Sequence, residues 1–209
     1  MGDIKIYDIG TAIEKCNIEY FVETGTLEGD AVKYMLQFES LKKLISFEII
    51  EELVYKARER FKDNNKVEIV HEDSSKGLED KLNEINGNCI FWLDAHFPGA
   101  DIGLTEYTNN VDKDTNLPLE KEIAAIKKRS KLYNDIIIID DLWIYDTDKI
   151  YEWGTFDSHM ERHGHKLRRN DVNTTDSTFI REAFSDTHKI KEVLKFQGSL
   201  VIIPKLNNN

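Results

Sequence analysis

Acidic side chains follow two apolar runs of the sequence, and these side chains could bind a metal ion. Asp94 and His96 follow Ile90–Leu93, and the pair Asp140–Asp141 follows Ile136–Ile139. If both runs form neighbouring parallel strands, their carboxyl ends meet at one sheet edge and three carboxylates converge there. Their mutual repulsion favours a bound cation, and hard oxygen ligands suit Mg²⁺, Mn²⁺ or Ca²⁺ better than Zn²⁺. The alternative is that these aspartates cap helices or lie in solvated loops.

The first apolar run ends in a glycine-containing turn with the sequence Glu23-Thr24-Gly25-Thr26-Leu27-Glu28-Gly29. Gly25 and Gly29 allow the backbone to turn tightly and to approach a ligand closely. The spacing is not G-x-G-x-x-G and no P-loop lysine follows, so the turn does not indicate an NAD site or a P-loop. An ordinary glycine turn is the alternative.

Acidic and hydroxyl side chains also end the next two apolar runs. Glu48 follows the second run, and an acidic residue about 20 residues beyond a glycine turn is placed to accept hydrogen bonds from ribose hydroxyls. Its alternative role is at the start of a helix, beside the positive end of the helix dipole. Asp73 and Ser74 follow the third run and could either read the edge of a base or cap the next helix.

Short apolar runs alternate with amphipathic stretches, which predicts a parallel sheet covered by helices. The predicted strands are Glu19–Val22, Leu44–Phe47, Val67–Val70, Cys89–Leu93 and Asp135–Ile139, followed by a closing hairpin of Ile190–Leu194 and Leu200–Ile203 around Gly198. The fold class is therefore α/β, with a Rossmann-like doubly wound sheet that is mainly parallel and has a C-terminal antiparallel hairpin. We expect helices after the first, second and third strands and around Leu119–Ile126.

The 209 residues are expected to form a single domain, 1–209, with long irregular segments at about 97–118 and 142–175, the second a lid or insertion. The net charge of −11 disfavours nucleic acid as a partner. No signal peptide or bilayer-spanning run is visible, so we expect no membrane association and a cytoplasmic location. Cys16 and Cys89 are expected to be reduced packing residues.

These features resemble the class I S-adenosylmethionine-dependent methyltransferases across nearly the whole chain. The similarity lies in Glu23-x-Gly25-x-x-x-Gly29, the acidic Glu48, the Asp73-Ser74 pair, and the strand-helix units closed by a hairpin. Within that superfamily, Asp94 with Asp140-Asp141 resembles the metal-dependent O-methyltransferases, including small bacterial sugar O-methyltransferases and the cephalosporin-hydroxylase-like group.

The resemblance implies S-adenosylmethionine and Mg²⁺ (or Mn²⁺ or Ca²⁺) as cofactors. By position it implies the following residues: Glu23, Gly25 and Gly29 at the methionine end of the cofactor, with Thr24 and Asp94 in the same binding set; Glu48 at the ribose; Asp73 and Ser74 at the adenine; and Asp94, Asp140 and Asp141 at the metal. The implied activity is methylation of an oxygen on a small polar acceptor, most plausibly a sugar or nucleotide-sugar hydroxyl in polysaccharide or secondary-metabolite biosynthesis. A homo-oligomer is compatible with the sequence.

His96, with Asp94, is the predicted catalytic residue, because imidazole titrates near neutrality and could take the acceptor's proton. It could instead be a further metal ligand or an ordinary loop histidine. The second long segment contains three histidines, His159, His163 and His165. It also contains a basic group that would suit an anionic sugar, formed by Lys166, Arg168 and Arg169. Its aromatic group, which could stack on a ring, consists of Trp143, Tyr145, Tyr151 and Trp153.

Two other functions are compatible with the sequence. The segment Leu93-Asp94-Ala95-His96 with Asp101 is similar to part of the arginase-like binuclear manganese hydrolases. A non-catalytic Rossmann-like binding module is the other alternative. Neither accounts for the glycine turn, Glu48 and the convergent aspartates together.

Overall fold

The computed structural model describes residues 3–100, 102–107, 112–172 and 176–206. Within these ranges seven strands form a single sheet: β1 Ile18–Thr24, β2 Lys43–Glu48, β3 Val67–His71, β4 Asn88–Leu93, β5 Ile136–Ile139, β6 His188–Val193 and β7 Ser199–Pro204. Asp101 and the Asn207–Asn209 tail lie outside the described residues.

The strand order is β3-β2-β1-β4-β5-β7-β6. Strands β1 to β5 are parallel, whereas β7 runs antiparallel to both β5 and β6. The predicted Rossmann-like α/β fold with its C-terminal antiparallel hairpin is therefore confirmed. The order reverses between β1 and β4, and in open α/β sheets such a reversal opens a crevice beyond the strand ends, where ligands bind.

Eight α-helices flank the described sheet: α1 Ile9–Cys16, α2 Asp30–Met35, α3 Glu51–Phe61, α4 Ser74–Asn83, α5 Lys113–Asn116, α6 Leu119–Lys127, α7 Phe156–Arg162 and α8 Thr178–Phe184. Short 3₁₀ helices occupy Ile4–Ile6, Leu142–Ile144 and Arg169–Asp171. No described helix has both the length and the apolar character needed to span a lipid bilayer.

The sheet has an apolar core on each face, because successive side chains of a strand point to opposite faces. In β5, Ile136 and Ile138 join the core under α1, α2 and α3. Ile137 and Ile139 join the other core, under α4, α6 and α8. Cys16 and Cys89 are buried and unbridged in these layers, as predicted.

Two helices outside the segments expected to be irregular were not predicted, and the first of those segments, 97–118, contains the unpredicted helix α5. Helix α1 precedes the first strand, and Asp8 caps the helix start because its carboxylate accepts a hydrogen bond from the Thr11 amide. Helix α8 buries Ile180 and Phe184. The segment 142–175, expected to be irregular, contains α7, whose start is fixed by reciprocal hydrogen bonds between Thr155 and Ser158.

Candidate active site

Three side chains bring ligating atoms together at the carboxyl ends of β4 and β5. The Asp140 amide donates a 3.0 Å hydrogen bond to the Leu93 carbonyl, which extends the strand pairing and places the two strand ends side by side. His96 Nε2 lies 2.6 Å from Asp141 Oδ2 and 3.8 Å from Asp94 Oδ1. One ligand atom from each of these three residues lies within 4.8 Å of the other two. An imidazole and two carboxylates are thus placed where they could share a metal ion.

Asp140 is not a member of this three-residue group. Asp141 has a left-handed backbone with φ of 50°, so the chain turns sharply after Asp140. Asp140 Oδ2 is buried and lacks a hydrogen-bond partner among the described residues. Burial, and then repulsion from Asp141, raises the pKa of Asp140 to about 7. Its assignment as a metal ligand stays a prediction.

The charge of the site fits a cation. Burial, followed by repulsion from Asp140 and Asp141, raises the pKa of Asp94 well above its ordinary value. Across residues 3–100, 102–107, 112–172 and 176–206, no lysine or arginine forms an ion pair with these three aspartates. Asp141 Oδ1 is also buried without a hydrogen bond in the described structure. Because unpaired buried carboxylates are costly, the donor set fits a hard divalent cation.

The glycine turn is held closely against the end of β4. Gly25 has φ of 85°, and its amide donates a 3.0 Å hydrogen bond to the Phe47 carbonyl. A Cβ atom on Gly25 would lie 2.9 Å from the backbone oxygen of Asp94. Gly29, with φ of 77°, precedes α2, and a Cβ atom there would lie 2.7 Å from the Phe61 ring. Gly25 therefore shapes the site, whereas Gly29 fixes the packing of α2 against α3.

Glu48 ties the glycine turn to the start of α3. Its Oε2 accepts a 3.0 Å hydrogen bond from the Leu27 amide, and its Oε1 accepts 2.9 Å bonds from the Ile49 and Ile50 amides. Burial nevertheless raises the pKa of Glu48, since desolvation outweighs these three donors. Leu27 has φ of 46°, which is rare for a residue with a side chain. Because Oε1 already accepts two hydrogen bonds and Oε2 accepts one, Oε2 retains a lone pair for a ligand's hydroxyl group.

Glu23 lies deeper, behind the same turn. Its Oε2 accepts a 2.5 Å hydrogen bond from Ser46 Oγ. Burial raises the pKa of Glu23 to about 8, so its carboxyl group holds a proton near neutrality. Thr24 is fully buried next to it. The roles predicted for Glu23 and Thr24 in cofactor binding stay predictions.

Asp73 and Ser74 make side-chain contacts that the sequence did not indicate. Asp73 caps α4 through the Ser75 amide and accepts a 2.6 Å hydrogen bond from Thr115 Oγ1. The Ser74 hydroxyl donates a 2.6 Å hydrogen bond to Glu122 Oε1. Burial raises the pKa of Glu122 to about 7. Asp73 thus has the predicted capping role; both residues line a cavity, and their role at the edge of a base stays a prediction.

Three cavities meet at Leu27 and Asp94, and we name them by position. The β2 cavity, of about 60 Å³, is lined by Glu48, Asp73, Ser74 and His96 among others. The N-terminal cavity, of about 370 Å³, contains Glu23 and Lys5 in its lining. The lid cavity, of about 270 Å³, contains Asp141, His96 and residues of the 142–175 segment. Leu27 and Asp94 line all three, whereas Thr24, Gly29 and Asp140 line none of them.

The lid cavity is lined by rings. His159 contacts Trp143 at a centroid distance of 4.2 Å, lies parallel to Trp153 at 6.3 Å, and approaches His163 at 4.4 Å. Burial, and then the proximity of His163, lowers the pKa of His159 to about 4, so this imidazole is neutral at physiological pH. Tyr145 and Tyr151, which we grouped with the tryptophans, are core residues outside this lining.

The basic residues of the lid do not line this cavity. Arg169 pairs with Asp148 and Asp157, and Arg168 donates to backbone carbonyls within its own loop. The described lining of the lid cavity contains neither lysine nor arginine. Gln197, which does line it, was missed from the sequence, because it comes from the β6–β7 turn and no motif marks it.

Comparisons with known proteins define the fold. No protein-family model matches the chain, and no curated protein matches it. Among solved structures, the methyltransferase PaMTH1 of Podospora anserina, bound to S-adenosylhomocysteine (SAH), has a TM-score of 0.58 at 14% identity, over 95% of this chain and 76% of that one. An SAH complex of an O-methyltransferase from Bacillus cereus has a TM-score of 0.55 at 13% identity, over 98% and 82%. An rRNA methylase from Streptococcus thermophilus has a TM-score of 0.50 at 16% identity, over 99% of each chain.

The chain thus has the Rossmann-like fold of the class I S-adenosylmethionine-dependent methyltransferases. Of these three names, one indicates an oxygen acceptor, one indicates ribosomal RNA and one indicates no acceptor, so the shared fold does not identify the acceptor. The acceptor therefore has to be inferred from the residues of the site. The hydrolase alternative includes Asp101, which lies outside the described residues, and it stays a prediction.

Proposed function

We propose that this protein transfers the methyl group of S-adenosylmethionine to a hydroxyl oxygen of a small polar acceptor, with a divalent metal held by Asp94 and Asp141. The junction of the three cavities at Leu27 and Asp94 carries this proposal. An adenosyl group lying along the β2 cavity, which at about 60 Å³ encloses only part of such a group, would meet a methionyl group in the N-terminal cavity and an acceptor in the lid cavity there. Glu48, which lines the β2 cavity, would accept a hydrogen bond from a ribose hydroxyl through Oε2.

The cofactor supplies an activated methyl group, and the metal ion supplies positive charge that lowers the pKa of the acceptor hydroxyl. The protein's own residues orient the acceptor and receive its proton. His96 is the proposed base: it lines the lid cavity, and because its Nε2 donates to Asp141 Oδ2 at 2.6 Å, Nδ1 is the ring nitrogen that would take the proton. The Asp141 carboxylate stabilises the imidazolium that forms when His96 takes the proton. Because the transfer is a displacement at carbon, positioning is the main contribution of the site.

A sugar hydroxyl is the acceptor that we propose, from polysaccharide or secondary-metabolite biosynthesis. Trp143 and Trp153 offer ring faces on which the apolar face of a sugar can pack. The lack of lysine and arginine in the described lining favours an uncharged sugar unit in this cavity, with any phosphate outside it. Mg²⁺ is the proposed metal because the site offers mainly carboxylate oxygens.

Calorimetric titration with SAH, in Mg²⁺ and again in EDTA, tests the cofactor. Mn²⁺ titration followed by electron paramagnetic resonance tests the metal. We expect Glu48→Gln to weaken SAH binding at least tenfold and to leave Mn²⁺ binding unchanged. We expect Asp141→Asn to weaken Mn²⁺ binding and to leave SAH binding unchanged. Asp140→Asn is the matched neighbour: if it abolishes Mn²⁺ binding as Asp141→Asn does, Asp140 is a ligand as well. The absence of SAH binding by the wild-type protein would overturn the proposal.

A further inference from the structure

The N-terminal cavity has an uneven distribution of charge. Its lining contains five acidic residues and, in the part that the structure describes, a single basic one, Lys5; the acidic residues are Asp3, Glu23, Glu28, Asp30 and Asp94. The methionyl end of S-adenosylmethionine carries two positive groups, the sulfonium and the α-ammonium, and one negative group, the α-carboxylate. The Asp3, Glu28 and Asp30 carboxylates suit the first two, whereas the α-carboxylate requires a cation or N–H donors.

Lys5 belongs to a segment that is fixed over the cavity. Ile4 is buried in the core beneath α1, and Asp3 Oδ1 accepts a 3.0 Å hydrogen bond from the Lys5 amide. Farther along, the Tyr7 hydroxyl lies 2.5 Å from Ser199 Oγ in β7, and the Tyr7 ring contacts Trp92 in β4. The backbone on either side of Lys5 is thus attached to the sheet.

The Lys5 ammonium group is available to a ligand. Its one described ion pair is with Asp3, at 3.9 Å, and both side chains are about half exposed. Asp30, the other nearby carboxylate, is instead bound at 2.7 Å by Arg60. A weak, solvated ion pair of this kind contributes little stability, so an incoming carboxylate can replace it.

Resting on the proposed function, we propose that Lys5 binds the α-carboxylate of S-adenosylmethionine and so selects the complete amino-acid end of the cofactor. The β2 cavity and the N-terminal cavity share Gly25, Leu27 and Asp94. A ligand whose adenosyl group lies along the first therefore extends its amino-acid end into the second, where Lys5 is the described cation.

Decarboxylated S-adenosylmethionine is the probe, because it keeps the sulfonium and the ammonium and lacks only the carboxylate. Binding of both nucleosides is measured by calorimetry for the wild-type protein, Lys5→Met and Lys5→Arg. We expect the wild type to bind S-adenosylmethionine about tenfold more tightly than the decarboxylated form. Lys5→Met should weaken only the binding of S-adenosylmethionine, so that the ratio falls towards one, and Lys5→Arg should restore the preference.

Lys33→Met is the matched control. Lys33 is an exposed lysine whose charge, like that of Lys5, lowers the pKa of Asp30, but it does not line the cavity. If Lys33→Met reduces the preference as much as Lys5→Met does, or if Lys5→Met weakens both nucleosides equally, the assignment of Lys5 is wrong while the proposed function stands. If the wild type binds neither nucleoside nor SAH, the proposed function fails and this assignment fails with it.

Discussion

Replacing Gly25 by alanine tests whether the close contact between the glycine turn and β4 builds the site. The new Cβ atom would lie 2.9 Å from the Asp94 carbonyl oxygen, and the backbone has φ of 85°. A side chain in the left-handed region costs about 1–2 kcal/mol. Forcing an extra carbon against packed backbone costs about 1–3 kcal/mol more. The variant should therefore lose about 2–5 kcal/mol of unfolding free energy.

Gly164→Ala separates these two costs. Gly164 has φ of 75°, and a Cβ atom there would have no neighbour within 4 Å. This variant should lose only the left-handed cost of about 1–2 kcal/mol. Urea unfolding measures both variants, and calorimetry with SAH measures the site.

Gly25→Ala should also weaken SAH binding at least tenfold, because the added carbon displaces the turn where the three cavities meet. Gly164→Ala should bind SAH as the wild type does, since Gly164 lines neither the β2 cavity nor the N-terminal cavity. Equal unfolding free energies and equal SAH affinities for the two variants would refute the reasoning.

Two further predictions concern residues behind and within the turn. The pKa of Glu23 is raised from 4.5 to about 8, so over this range the folded state retains a proton that the unfolded state releases. The unfolding free energy should therefore fall as pH rises, by up to about 1.4 kcal/mol per pH unit from this group. Glu23→Gln should show a flatter dependence in urea titrations between pH 5 and 8, and an unchanged slope would contradict this. Leu27→Gly removes the strain of a side chain in the left-handed region but increases the backbone entropy of the unfolded state. The unfolding free energy should therefore stay within about 1 kcal/mol of the wild-type value. SAH affinity should nevertheless drop, because the lost side chain lines all three cavities; wild-type affinity would show that Leu27 is not a wall of the site.

The strands could be predicted because each is a short apolar run with alternating faces, as in Ile136–Ile139. Their ends were displaced by only one or two residues. Helices α1 and α8 were missed because their apolar residues are few and no strand signal sets them apart. The residues that follow the strand ends were identified from the same pattern, since a parallel sheet places all its carboxyl ends at one edge.

Side-chain partners within the site were not predictable in the same way. The sequence treats Asp140 and Asp141 as equivalent neighbours, and only the left-handed backbone at Asp141 shows which carboxylate meets His96. The contact of Ser74 with Glu122 joins residues 48 positions apart. Such contacts depend on how the helices pack against the sheet, and the apolar periodicity of the sequence does not specify that packing.

The shared wall of the three cavities has a thermodynamic consequence. Asp94 contributes to all of them, so under the proposed function the three occupants would contact one carboxylate, through which their binding can be coupled. Linkage is reciprocal: whatever factor a divalent cation adds to the affinity for SAH, SAH adds to the affinity for the cation. The same reciprocal relation would hold for the acceptor, because its cavity includes the same carboxylate. Under the proposed function, whatever factor one of the three occupants applies to the affinity for another would therefore be returned in equal measure.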